Sequence, residues 1–196
     1  RPGRLGTEGV CAVTVRELPD LTTVQVGPRG RNTSMADVEI PLSDLAAEEE
    51  ELQFESFTND DAWTLGTALV AAARRESAPV AIDITRNGHQ LFRAALTGTA
   101  PDNDSWIRRK AAVVHRFGHS SLYLRTLCAA DGTTAEERFG LDPQQYAAHG
   151  GAFPILVRSV GPVGVVVVSG LPQVEDHRMV VAALRALLDG QREGAS

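Results

Sequence analysis

The dipeptide Asn87-Gly88 restricts the fold of this chain more than any other pair of residues. It follows Val80-Ala81-Ile82-Asp83-Ile84-Thr85, whose apolar and polar residues alternate with the period of a strand, and precedes a return segment from Gln90 to Leu96. Asn-Gly supplies the positive φ angles of a two-residue type I′ turn, so the two segments form an antiparallel hairpin. A two-residue turn sets Ile84 opposite Leu91 and Asp83 opposite Phe92, with Asp83 on the face away from Ile82 and Ile84. Asp83 is then either a hydrogen-bonded structural carboxylate or a site residue.

The rest of the chain supplies one more apolar strand pair and several helices. Phe153 to Val160 and Val163 to Ser169 form the pair, joined at Gly161-Pro162. Ser43-Asp44 caps a short, exposed acidic helix over Leu45 to Leu52. Thr58-Asn59-Asp60-Asp61 resembles a capping box ahead of Ala62, Leu65, Leu69, Ala72 and Ala73 at helical spacing. Pro101-Asp102-Asn103-Asp104 opens the longest helix, running through Trp106 towards Leu127 with an irregularity at Gly118. Thr133 and Thr134 introduce a short helix ending near Gly140, and Asp142-Pro143 another reaching Ala148. A last helix after Pro172 buries Val180, Ala183, Leu184, Leu187 and Leu188. Strands arriving in antiparallel pairs between helices indicate an α+β sheet covered by helices and argue against a parallel nucleotide-binding sheet.

The body runs from about Leu45 to Leu188. Residues 1–34 hold scattered Pro and Gly and two short β-like pieces, Cys11 to Val15 and Thr22 to Val26, without obvious partners. Met35 stands where the character changes, so residues 1–34 are expected to be an upstream extension, the alternative being a genuine N-terminal hairpin or tail. An acidic lead-in and helix follow over 35–57, the α+β domain over 58–190 and a tail over 191–196. Cys11 and Cys128 match no metal or redox spacing and are expected as free thiols in a reducing compartment. The sequence has no apolar run approaching the roughly 20 residues of a membrane span and no basic-then-apolar leader, which points to the cytoplasm. A net charge of -6 argues against a general nucleic-acid binder. One lysine, Lys110, stands among eighteen arginines, a bias expected of a GC-rich bacterial genome.

Several polar residues can carry chemistry. Arg108, Ala112, His115 and His119 are spaced by four, three and four residues and line one stripe of the long helix. His115 and His119, at i and i+4, can chelate a metal, although the Glu of a zincin helix is missing, or can be ordinary hydrogen-bonded groups. Arg108, Arg109 and Lys110 can pair with a carboxylate or phosphate of a ligand, or with the chain's own Asp102, Asp104 or Glu175. His149 precedes Gly150 and Gly151 at the mouth of a buried strand, a position for a binding residue or for a plain tight turn. His177 points inward near the start of the last helix, as a structural or a pocket residue. The chain carries no Gly-x-Ser-x-Gly elbow, no phosphate-binding loop with lysine and no Cys-His arrangement, so whether it is an enzyme stays open.

Six segments together resemble a known family: Leu52 to Thr58, Asp83 to Gly88, Pro101 to Lys110, Arg116 to Ser121, Ala147 to Ile155, and Val168 to Gln173 with Asp176-His177. They resemble the UPF0303 family, which belongs with the haem-degrading domain group of GlcG-like and HbpS-like proteins. The resemblance covers roughly Leu45 to Leu188. It implies a profilin-like fold, an antiparallel sheet with helices on both sides, assembled into dimers or higher homo-oligomers. It also implies haem binding or degradation, with His149, His119 or His177 offering an axial nitrogen and Arg108, Arg109 or Lys110 meeting the propionates. The alternative is an oligomeric binding or scaffold protein that holds a partner protein or a small organic acid without performing chemistry.

Overall fold

The structure, a computed structural model, describes residues 40–194. The expectations for residues 1–34, for Met35 and for Cys11 lie outside the described residues. Six helices and five strands follow in order: α1 Leu42–Glu51, β1 Gln53–Phe54, α2 Asn59–Arg75, β2 Ala81–Arg86, β3 His89–Ala95, α3 Pro101–Phe117, α4 Ser121–Ala130, α5 Ala135–Phe139, β4 Ala152–Val157, β5 Gly161–Ser169 and α6 Gln173–Gly194. The strands form one sheet in the order β1-β4-β5-β2-β3. Every pairing is antiparallel except β1 with β4, so the sheet is mixed rather than wholly antiparallel.

Alternation along the strands separates two cores. Ile82, Ile84, Phe153, Ile155, Val166 and Val168 face α2 and α6, where they meet Leu65, Leu69, Val180 and Leu184. Ala81, Ala152, Val165 and Val167 face the opposite way, onto Ile107 and Val114 of α3. Helices on both faces leave the central β5 almost wholly buried, which accounts for its unbroken run Val165-Val166-Val167-Val168.

Local signals set most element ends. The Thr58 hydroxyl accepts from the Asp61 N–H while the Asp61 carboxylate accepts from the Thr58 N–H at 2.7 Å, a complete capping box. Asn87 and Gly88 both have positive φ, as the hairpin requires. The register around that turn differs from expectation. Thr85 pairs with Gln90 but Ile84 with Phe92, so Leu91 is an extra residue in a bulge and Asp83 lies opposite Arg93.

Four other expectations are corrected. The long helix stops at Gly118, which takes φ +74, and Ser120 caps the separate α4 by accepting from the Tyr123 N–H at 3.2 Å. Asp142-Pro143 begins a turn rather than a helix, because the Ala147 N–H donates to the Arg109 carbonyl and leaves the local ladder. Gly161 and Pro162 already belong to β5, and the reversal before them is made at Arg158 to Val160 with Ser159 at φ +61. The acidic α1 begins at Leu42, with Pro41 rather than Ser43-Asp44 before it, and is not simply exposed. Leu45 is fully buried, and the Glu49 carboxylate accepts from the Ser120 N–H at 2.7 Å and meets His119 Nδ1 at 2.6 Å.

Candidate functional site

The chain returns to one end of the sheet three times: at the start of α3, in the loop before β4, and between β5 and α6. Lys110, two and a half turns into α3, holds these pieces together. Its ammonium donates to the Val168 carbonyl at 3.1 Å and to the Asp176 carboxylate at 2.8 Å, and both ionic side chains are almost entirely buried. Asp176 also accepts from the Leu171 N–H at 3.0 Å and from the Gly170 N–H at 3.4 Å, which fixes the loop into α6. Burial pushes the Lys110 ammonium below its ordinary range and the Asp176 carboxyl above its own, and their mutual attraction opposes both shifts.

Gly150 and Gly151 make this assembly sterically possible. A Cβ on Gly150 would run into the Gln173 carbonyl; one on Gly151, at φ +115, would collide with the Val168 carbonyl and the Lys110 ammonium. The glycine pair therefore brings the backbone directly against α6 and the ion pair. That approach leaves His149 at the edge of a cleft of about 260 Å³, bordered also by Trp106, Ser169, Leu171, Gln173 and the Lys110–Asp176 pair. The His149 ring lies edge to face on Trp106, with centroids 5.2 Å apart. Its Nδ1 is buried without a hydrogen-bond partner among the described residues, as is Gln173 Oε1. Burial first, then the positive charges of Arg125 and Lys110, hold the imidazole below its ordinary range. It is therefore a neutral ring that can donate from one nitrogen and accept at the other.

The other candidate residues are not at this cleft. Arg108 is exposed, while Arg109 stacks over the Trp106 ring at 4.1 Å and donates to the Pro143 carbonyl at 3.2 Å. Three consecutive helical residues diverge by about 100° each, so Arg108, Arg109 and Lys110 cannot form one cationic patch. His119 lies beyond the end of α3, stacks on Tyr123 and meets Glu49, so neither the stripe with Arg108 nor a pair with the exposed His115 exists. His177 is 1% exposed, meets Glu48 through Nε2 at 2.9 Å and packs against Phe153. Asp83 is buried in the hairpin, where it accepts from Gln90 and burial raises its carboxyl. Among the described residues no group of three or more His, Cys, Asp or Glu side chains is placed to hold a metal ion. Cys128 is a buried free thiol.

Asp176, Trp106, Ser169 and Gln173 were not singled out as site residues from the sequence. The one signal in the sequence was the lone lysine, Lys110, a compact ammonium that needs a carboxylate partner once it is buried.

Fold and site together define a class: an α+β domain with a mixed sheet between two helical layers and a glycine-walled cleft at the ends of its strands. The chain belongs to the HbpS-like family of haem-degrading proteins, whose family model matches residues 57–185, and to the UPF0303 proteins. A UPF0303 protein of Streptomyces coelicolor is 58% identical over 147 residues, 75% of this chain and 93% of that protein. The crystal structure of Ybr137w protein is 42% identical with a TM-score of 0.71, covering 78% of this chain and 90% of that one. The crystal structure of a PduOC:Heme complex has the same fold at 17% identity and a TM-score of 0.56, over 67% of this chain and 94% of that one. No helix among the described residues is long and apolar enough to cross a membrane.

Proposed function

We propose that this protein binds a small polar molecule in the cleft beside His149 and acts as a binding protein. The observation that carries this reading is the pair of buried polar atoms, His149 Nδ1 and Gln173 Oε1, left without partners at the border of one cleft. Buried polar atoms in native proteins are nearly always satisfied, and a ligand would satisfy these two. The buried Lys110–Asp176 pair and the two glycines are the frame that holds the cleft open. With this reading go a cytoplasmic location and assembly of the chain with copies of itself. Light scattering of the full chain is then expected to return a whole-number multiple of 20.9 kDa above one; a monomer mass overturns the assembly.

Haem is the competing ligand, supported by the family's description and by the structural relative described as a haem complex. The residues of a single chain do not fit it. The cleft of about 260 Å³ is smaller than the ~300–1,000 Å³ of sites for drug-sized ligands, which a macrocycle exceeds. Of the three histidines proposed as axial ligands, only His149 lines this cleft; His119 and His177 lie away from it, against Glu49 and Glu48. Arg108, Arg109 and Lys110 do not converge.

Thermal shift of the full chain against a library of small metabolites tests the proposal. At least one compound is expected to raise the Tm of the wild type and not that of His149→Ala. A library without a stabiliser, or stabilisers that act equally on both, overturns it. Haemin is titrated in parallel: a saturable Soret shift lost in His149→Ala would put haem in this cleft and overturn the small-ligand reading.

A further inference from the structure

The chemistry lining the cleft indicates what kind of molecule it takes. Four neutral polar side chains border it: the Ser169 hydroxyl, the Gln173 amide, the His149 imidazole and the Asn103 amide, the last already bonded to the Ala100 N–H and the Ser169 carbonyl. Ser169 is 4% exposed, and its hydroxyl has no hydrogen-bond partner among the described residues. Hydroxyl, amide and neutral imidazole are the side chains that both donate and accept, so they match ligand groups that also do both.

The charges at the cleft argue in the same direction. Lys110 and Asp176 neutralise each other at 2.8 Å. Asp102, which accepts from the Trp106 indole N–H at 3.1 Å, is the remaining charged residue at the border and it is negative. Arg109 and Arg125 act on His149 through space but neither lines the cleft. A carboxylate or phosphate entering here would meet no uncommitted cation and one uncompensated anion, against the pattern of charge-assisted anion recognition. Trp106 and Leu171 add apolar surface suited to the C–H faces of a small molecule whose polar groups point elsewhere.

We infer that the ligand of this cleft is a small uncharged polyhydroxy compound, of the class of short polyols and small sugars, bound by Ser169, Gln173 and His149 against Trp106. The inference rests on the cleft being a binding site and replaces an organic acid with a neutral ligand. No bond is made or broken by this binding.

Trp63 and Trp106 are the only tryptophans, and Trp63 is 64% exposed, so Trp63→Phe makes emission report on the cleft alone. In that background the full chain is titrated with glycerol, erythritol, ribose and lactate. At least one of the three neutral compounds is expected to give a saturable emission change that does not weaken with added salt. Ser169→Ala and Gln173→Ala should each weaken it by about fivefold to tenfold, the worth of one buried hydrogen bond, with unchanged circular dichroism melts. Saturation by lactate alone, abolished by salt, overturns the neutral class and leaves the cleft as a binding site. Silence from all four compounds also overturns the class. An empty metabolite library then removes the binding site as well, whereas a stabiliser dependent on His149 leaves it standing.

Discussion

Lys110 and Asp176 carry opposite charges at a place almost entirely withdrawn from water, which makes each the other's requirement. Lys110→Met strands a carboxylate in that interior and is expected to cost about 3–5 kcal/mol in urea unfolding. The double variant Lys110→Met, Asp176→Asn removes both charges and keeps an acceptor for the Leu171 N–H, so it should recover most of the loss. A double variant no more stable than Lys110→Met would show that the pair is not the reason. His149 has a different signature. Its folded-state pKa is depressed, so below about pH 6.5 the unfolded chain takes up a proton that the folded chain resists. Stability from this residue is present above about pH 6.5 and is lost as pH falls through the folded value. His149→Gln should flatten that limb of the urea midpoint against pH; an unaltered limb would assign it to other groups.

At the scale of elements, helix ends divide this protein more sharply than its hydrophobic periodicity suggests. The residues from Pro101 to Leu127 are spaced as one helix, yet Gly118 in the left-handed region and the Ser120 cap make two. Gly118→Ala puts a side chain at φ +74 and should cost about 1 kcal/mol or more in stability. Thr58→Ala removes the acceptor that closes the α2 capping box and should cost about 1 kcal/mol, measured in the same denaturation series. A larger effect is expected at Gly151, where an added Cβ meets the Val168 carbonyl and the Lys110 ammonium. Gly151→Ala should separate β4 from the ion pair and lower the Tm well beyond either helix-end variant. Hydrogen exchange at the Val168 N–H, which donates to the Gly151 carbonyl at 2.8 Å, would show whether that contact opens.

Across the whole molecule, the sequence by itself determined what depends on residues close together along the chain. The capping box at Thr58, the Asn87-Gly88 turn, the short helix between Thr134 and Gly140 and the inward face of α6 were legible because a turn, a cap or a helical stripe is decided within a few residues. The closeness of Gly150 and Gly151 to other backbone was legible too, since paired glycines before a buried strand have few other uses. Tertiary structure alone decided which polar groups meet. Lys110 reaches Asp176 across 66 residues, and Glu48 reaches His177 across 129, through contacts that no spacing encodes. The two-residue β1 has no alternation to reveal it and exists through its parallel pairing with β4. The three adjacent cations from Arg108 to Lys110 looked like one site because sequence is a line. On a helix they point in three directions, and only Lys110 turns into the protein, where burial makes its partner decisive.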